Sequence, residues 1–324
     1  MIELFRRNLF FNLLLVVPYI LVIRLVTLIY PSSTFYEYTG DSILVNGLYG
    51  LLSSPVLQSI FAIVLVFIQT TLINNISIVN RLSNEASLFA GIVYIVITSL
   101  TTALLGLSPI LFANLLLLFA ILNVFNTYKN TNAVGNIFGT GFFVSVSAIF
   151  YPPFIIFVLW GFIALIILHS FKWREKLQYF SGVGTAIYLL YGIVFYFNNG
   201  IGKAMSSFYS QVGFLQFKTM DLESWLVVVT YALLFILAFF SYNRYGQKKR
   251  VEVQKKIDIL FWYMAFCIPA ILISKNVTLT SILIIAPALS MLLGINMSQS
   301  RSKLTLELIH VAFLGIMVYS HYFL

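Results

Sequence analysis

Two carboxylates four residues apart, Glu37 and Asp41, and one cation set in an apolar run, Arg24, are the residues best suited to chemistry. Glu37 and Asp41 are the only acids in the stretch 31–54, which also carries Phe35, Tyr36, Tyr38 and Tyr49. A carboxylate beside a membrane-level cavity can serve as a general base or coordinate a divalent cation. The plainer reading is that both acids are solvated and give a loop its ordinary polarity. Arg24 raises a sharper question, because a charge at the centre of a span costs about 2.5–3.5 kcal/mol. It lies about six residues from the outer end of its run, roughly 9 Å deep at a helical rise. Three fates suit that depth: reaching out to lipid phosphate, pairing with Glu37 or Asp41, or binding an anionic group in an outward-facing cavity.

Other familiar chemistries find little support. There is no glycine-rich phosphate loop followed by Lys and no pair of histidines at metal-ligand spacing. His169, His310 and His321 read as interfacial or packed residues, and no metal site or particular cofactor is indicated. The single cysteine, Cys267, lies in an apolar run and reads as a small packed residue.

The elements that must position these groups follow from composition. Of 324 residues 60% are hydrophobic and only 9% charged, whereas a soluble domain carries about 25% charged residues to wet its surface. Lipid is the natural solvent for such a chain. The 31 Phe and 19 Tyr fit a membrane core and its boundary. A helix needs about 20 apolar residues to cross the hydrocarbon layer. The predicted spans are 9–30, 55–76, 87–106, 109–127, 137–151, 153–171, 178–198, 224–243, 258–275, 278–296 and 304–322. The run 137–151 is short and stops at Tyr151-Pro152-Pro153, where proline cannot continue the helix; it is expected to form a tight hairpin with the next segment. The start of the chain reads as a retained first helix, with Arg6 and Arg7 before it.

Charge fixes the direction. Assigning the N-terminus to the cytoplasm puts Arg6, Arg7, Arg81, Lys129, Lys172, Arg174, Lys176, Arg244, Lys248, Lys249, Arg250, Lys255, Lys256, Arg301 and Lys303 inside. Only Lys203, Lys218 and Lys275 fall outside, and with Arg24 these account for all 19 basic residues. Because a miscounted span would invert every later loop, this bias predicts the number of spans as well as the orientation. The +9 net charge is therefore topological and implies no nucleic-acid partner. The expected fold is an all-α bundle of about eleven spans, one transmembrane domain over 1–324, with its C-terminus outside.

The chain as a whole resembles an uncharacterised family of polytopic inner-membrane proteins from Bacteroidota. The resemblance rests on Met1 to Arg7, the run Ser108-Pro109-Ile110-Leu111-Phe112-Ala113, the stretch Phe138 to Tyr151, and Phe171-Lys172-Trp173-Arg174-Glu175. The order of elements is also similar to the C superfamily of lipid-linked-sugar glycosyltransferases: a cytoplasmic start, one span, an outer loop with acids, then a run of spans. Glu37 and Asp41 occupy that loop, although four apart instead of forming a tight acidic pair, and no large outer domain follows. The similarity implies envelope glycan assembly with Asp41 as base or cation ligand and Glu37 as its partner. Arg24, Lys203 and Lys218 would hold the phosphate of a polyprenyl-phosphate lipid. Two rivals predict different behaviour: a non-enzymatic scaffold subunit bound to other membrane proteins in a secretion, motility or envelope-assembly machine, and a transporter with polar or broken helices at mid-depth. In every case membrane lipids are partners.

Overall fold

A computed structural model describes residues 5–6, 10–29, 43–52, 54–130, 132–168, 172–198, 209–213, 221–246, 249–275, 277–300 and 302–323. Among these residues the protein is all-helical; the only β pairing is an isolated bridge between Val212 and Ser274.

The first apolar run forms three short consecutive helices, α1 (Phe10–Leu14), α2 (Val16–Ile23) and α3 (Leu25–Ile29). A further helix, α4 (Ile43–Leu51), closes the stretch predicted as the first outer loop. Prolines then punctuate the chain. Pro55 opens α5 (Pro55–Val79) and Pro109 opens α8 (Pro109–Asn126), each after an extended serine. The missing N–H of proline is harmless in a first turn. Between them lie α6 (Phe89–Ile97) and the single turn α7 (Thr102–Leu105). After α9 (Val134–Phe150), Pro152 and Pro153 turn the chain into a 3-10 segment, Pro152–Ile156, that leads into α10 (Phe157–Leu168). The remaining helices are α11 (Trp173–Asn198), α12 (Leu222–Phe240), α13 (Tyr242–Gly246), α14 (Val251–Leu272), α15 (Ala286–Gln299) and α16 (Lys303–Phe323). A second 3-10 segment, Leu279–Ile284, precedes α15.

Helix thus accounts for most of each predicted span, but 9–30 breaks at Leu15 and Arg24, 278–296 at Ile285, and a longer break lies within 87–106. The run 87–106 is not continuous: it breaks at 98–101 between α6 and α7. Four of the five residues from Thr98 to Thr102 carry hydroxyls, and such side chains satisfy backbone groups in non-helical conformations. The predicted hairpin also differs in its partners. α9 packs chiefly on α8 and α11, and touches α10 less. Among the described residues α5 and α8 are the two helices long and apolar enough to cross a membrane, with mean hydropathy 2.2 and 2.0.

The α9–α11 crossing depends on two glycines. A Cβ on Gly141 would fall inside van der Waals contact of the Tyr179 carbonyl oxygen, and one on Gly182 would do the same to the Phe138 carbonyl oxygen. Small residues let helix backbones approach this closely.

Connections distant in sequence gather at two ends. At one end Arg6 meets Glu85 at 2.9 Å, Ser83 bonds Ser298 at 2.7 Å, and Lys249 donates to the Leu82 carbonyl. Lys256 there is buried against Glu252 (2.5 Å), Asn80 (2.8 Å) and the rings of Phe125 and Tyr128. At the other end Tyr49 donates to the Leu107 carbonyl at 2.5 Å, and the Tyr151 hydroxyl bonds Ser274 and Ser281 at 2.9 and 3.2 Å. The backbones of Gln211 and Gly213 pair there with Lys275 and Ile273.

Burial pulls the Lys249 ammonium down to about 8. Its amine labelling, followed by mass spectrometry of the Lys249 peptide, is therefore expected to be half-maximal near pH 8 and to move toward about 10.4 on unfolding. A labelling midpoint of about 10.4 in the folded protein would contradict the shift.

Candidate functional site

Arg24 separates α2 from α3 and is fully buried, so it does not reach out to lipid. Its guanidinium instead joins the break in the run 87–106. Nε donates to the Ser99 hydroxyl at 3.2 Å, one Nη to the Leu105 carbonyl at 2.9 Å, and the other to the Thr98 carbonyl at 3.0 Å. The reason is local. Where α6 stops, its last carbonyls lose their intrahelical donors and carry the negative end of the helix dipole. Three donors supply the deficit: the Thr98 hydroxyl bonds the Ile95 carbonyl (3.2 Å), the Tyr231 hydroxyl bonds that of Ile97 (2.8 Å), and Arg24 bonds that of Thr98. A cation is the right group for a helix C-terminus. Every partner of the guanidinium among the described residues is nevertheless neutral, and two of its five N–H groups are uncommitted.

A second group of polar atoms surrounds this centre. The His321 ring, near the end of α16, lies close enough to the Thr101 backbone and to Arg24 to feel both. Its Nε2 is buried and has no partner among the described residues, and the same holds for the hydroxyls of Thr101, Ser108 and Ser320.

Deeper in the bundle further polar side chains bond one another and the backbone, although Asn74 Nδ2 and Asn114 Oδ1 have no partner among the described residues. The Tyr94 hydroxyl donates to Gln69 Oε1 and Gln69 Nε2 donates to the Leu111 carbonyl, both at 2.5 Å. Asn114 Nδ2 donates to the Leu283 carbonyl at 2.8 Å, and the Gly91 amide donates to Asn74 Oδ1 at 2.8 Å. These bonds tie α5, α6, α8 and the second 3-10 segment together, which accounts for Asn and Gln in apolar helices.

Of the sequence-predicted site residues, the structure positions Arg24. Glu37, Asp41, Lys203 and Lys218 lie outside the described residues, as does His169. The nearest described part of the acidic loop is α4, and its Tyr49 bonds Leu107, two residues beyond the Leu105 carbonyl held by Arg24. His310 is packed as expected, with the Tyr19 hydroxyl 3.3 Å from Nε2 and the two rings stacked. Cys267 is buried, its Sγ donating to the Tyr263 carbonyl. Sequence reasoning missed His321 and the hydroxyl run at 98–102. The run itself was the available signal, a polar interruption inside an otherwise apolar segment. No groups of three or more His, Cys, Asp or Glu capable of holding a metal occur among the described residues.

No protein-family model matches the chain, and no curated protein matches it significantly.

Proposed function

We propose that this chain is a multi-pass inner-membrane protein of about eleven spans, N-terminus inside and C-terminus outside, acting at its outer face on polyprenyl-linked sugars during envelope glycan assembly. The observation that carries the membrane reading is which loops touch. Charge alternation assigns 5–6, 80–85, 249–256 and 298 to one side, and these segments gather at one end through Arg6–Glu85, Ser83–Ser298, Lys249–Leu82 and Lys256–Asn80. It assigns 49, 105–107, 151, 211–213 and 273–281 to the other side, and these gather at the opposite end. A single miscounted span would have put these partners on opposite faces.

The helix surfaces support the same reading. On α5 the exposed residues include Val56, Leu57, Ile60, Phe61, Val64 and Ile68, an apolar stripe facing away from the bundle. On α12 they include Leu222, Trp225, Val229, Leu233, Ile236 and Phe240. Stripes this long exceed what a water-facing surface tolerates, and lipid is their natural contact.

For the outer-face chemistry, the support is the shared segment 105–107, bonded by Arg24 from within and by Tyr49 from the acidic loop. In this reading Asp41 takes the proton of an acceptor hydroxyl as its oxygen attacks the anomeric carbon. Glu37 assists, Lys203 and Lys218 bind the phosphate, and the polyprenyl phosphate departs with the electrons of the broken bond. The test is sugar transfer from a polyprenyl-phosphate donor in membranes containing the protein. Asp41→Asn is expected to lower transfer by about 10²-fold or more at unchanged protein level. Full activity in the variant, with a stable partner protein co-purifying, would assign the chain to scaffolding instead.

A further inference from the structure

We propose that the turns after α5 and α8 carry a seat for an acidic phospholipid headgroup, held by Arg81 and Lys129 at the end of the bundle that bears the basic loops. The inference rests on the membrane reading above, but not on any sugar transfer.

Both residues stand where a chain favours glycine. Arg81 has φ 52° and Lys129 φ 51°, and no other non-glycine residue among those described has a positive φ. Arg81 closes α5: its amide bonds the Ile78 carbonyl at 3.1 Å, and the Leu82 amide bonds that of Ser77 at 3.0 Å. Lys129 belongs to the turn after α8, where the Asn130 amide bonds the Thr127 carbonyl at 3.2 Å. Glycine or asparagine takes such a backbone at lower cost. Strained positions persist where the surroundings or a function hold them. Here both hold long, exposed cations.

One buried ammonium brings the two turns together. Lys256 Nζ lies 2.8 Å from Asn80 Oδ1, beside Arg81, and 5.7 Å from the centre of the Tyr128 ring, beside Lys129. Lys129 Nζ stands 5.6 Å from the centre of the same ring. Lys249 places a further ammonium on the Leu82 carbonyl, next to Arg81. Two carboxylates border this group, and both are engaged elsewhere: Glu252 with Lys256 at 2.5 Å, and Glu85 with Arg6 at 2.9 Å. Neither Arg81 nor Lys129 makes an ion pair among the described residues. The cluster keeps a net positive charge on its exposed side, which attracts anions.

Its surroundings favour a lipid over a soluble anion. Val79, two residues before Arg81, is 64% exposed, and Val251, two residues after Lys249, is 63% exposed. Apolar side chains left open beside cations match the boundary where acyl chains give way to headgroups. A headgroup phosphate accepts from the Arg81 guanidinium and the Lys129 ammonium while its chains cover the valines.

The test uses the full-length protein in detergent, with thermal midpoints measured against rising phosphatidylglycerol and, separately, phosphatidylcholine and inorganic phosphate. A ligand that binds only the folded state raises the midpoint with concentration. Phosphatidylglycerol is expected to raise it well beyond the other two. Arg81→Asn and Lys129→Asn remove the cations yet keep a residue that tolerates positive φ, so the midpoint without added lipid stays at or above that of the parent. Each change is expected to weaken phosphatidylglycerol binding about fivefold, the effect of one cation at a lipid surface. The pair Arg174→Gln and Lys176→Gln removes two cations at the start of α11 and should leave that binding as in the parent. The proposal is overturned if phosphatidylcholine or inorganic phosphate matches phosphatidylglycerol, or if the α11 pair weakens binding as much as the changes at the two turns. Reporter fusions and sugar transfer read other properties of the chain, so this proposal and the functional reading fail separately.

Discussion

Gly141→Val and Gly182→Val will each destabilise the protein by about 3 kcal/mol, enough to lower the yield of monodisperse material as well as its thermal midpoint. The size of the effect follows from what the added atoms would strike. On each glycine a Cβ would overlap a backbone carbonyl oxygen of the facing helix, Tyr179 or Phe138, and backbone cannot rotate aside as a flexible side chain can. α9 and α11 must therefore separate, which weakens the contact on both sides at once. Gly184 is the control, because nothing lies within 4 Å of a Cβ built there. Gly184→Ala should be neutral or gain a few tenths of a kcal/mol from helix propensity. A parent-like midpoint for both Val variants would mean that the helices do not cross this closely.

Arg24→Gln is expected to be the next most damaging change, destabilising by about 2–4 kcal/mol. Gln is too short to span from α2 to the carbonyls of both Thr98 and Leu105, so buried acceptors are stranded where α6 and α7 end. Relief of the buried charge offsets part of that loss, which is why the estimate lies below the sum of three broken bonds. Arg24→Lys keeps the charge and one contact and should fall between the two. Thermal unfolding in detergent measures all three proteins under one condition. A midpoint for Arg24→Gln at or above the parent value would show that burying the charge costs more than its bonds return.

How much of this was legible in the sequence depended on whether the signal was local. Helix bodies were, because apolar runs between Pro55, Pro109 and Pro152 mark their own limits. The break at 98–101 was visible only as a run of hydroxyl residues, and hydrophobicity alone reads straight through it. Arg24 stood out by its charge, but its partners lie 74 to 81 residues away, so no spacing in the sequence could name them. His321 was less legible still. A histidine near a helix end reads as interfacial, and only the fold brings it beside Thr101 and Arg24. Likewise α14 begins at Val251, seven residues before the predicted span, because charged Glu252, Lys255 and Lys256 extend the helix below its apolar part.

The central claim is the orientation and number of spans, and one pair of fusions tests it most directly. A reporter active only outside the cytoplasm, fused after Leu324, should be active, and the same reporter inserted at Lys248 should be silent. A cytoplasm-only reporter should give the reverse at both sites. Eleven spans with the N-terminus inside require this pattern. Activity of the outside reporter at Lys248, or its silence after Leu324, would contradict the account.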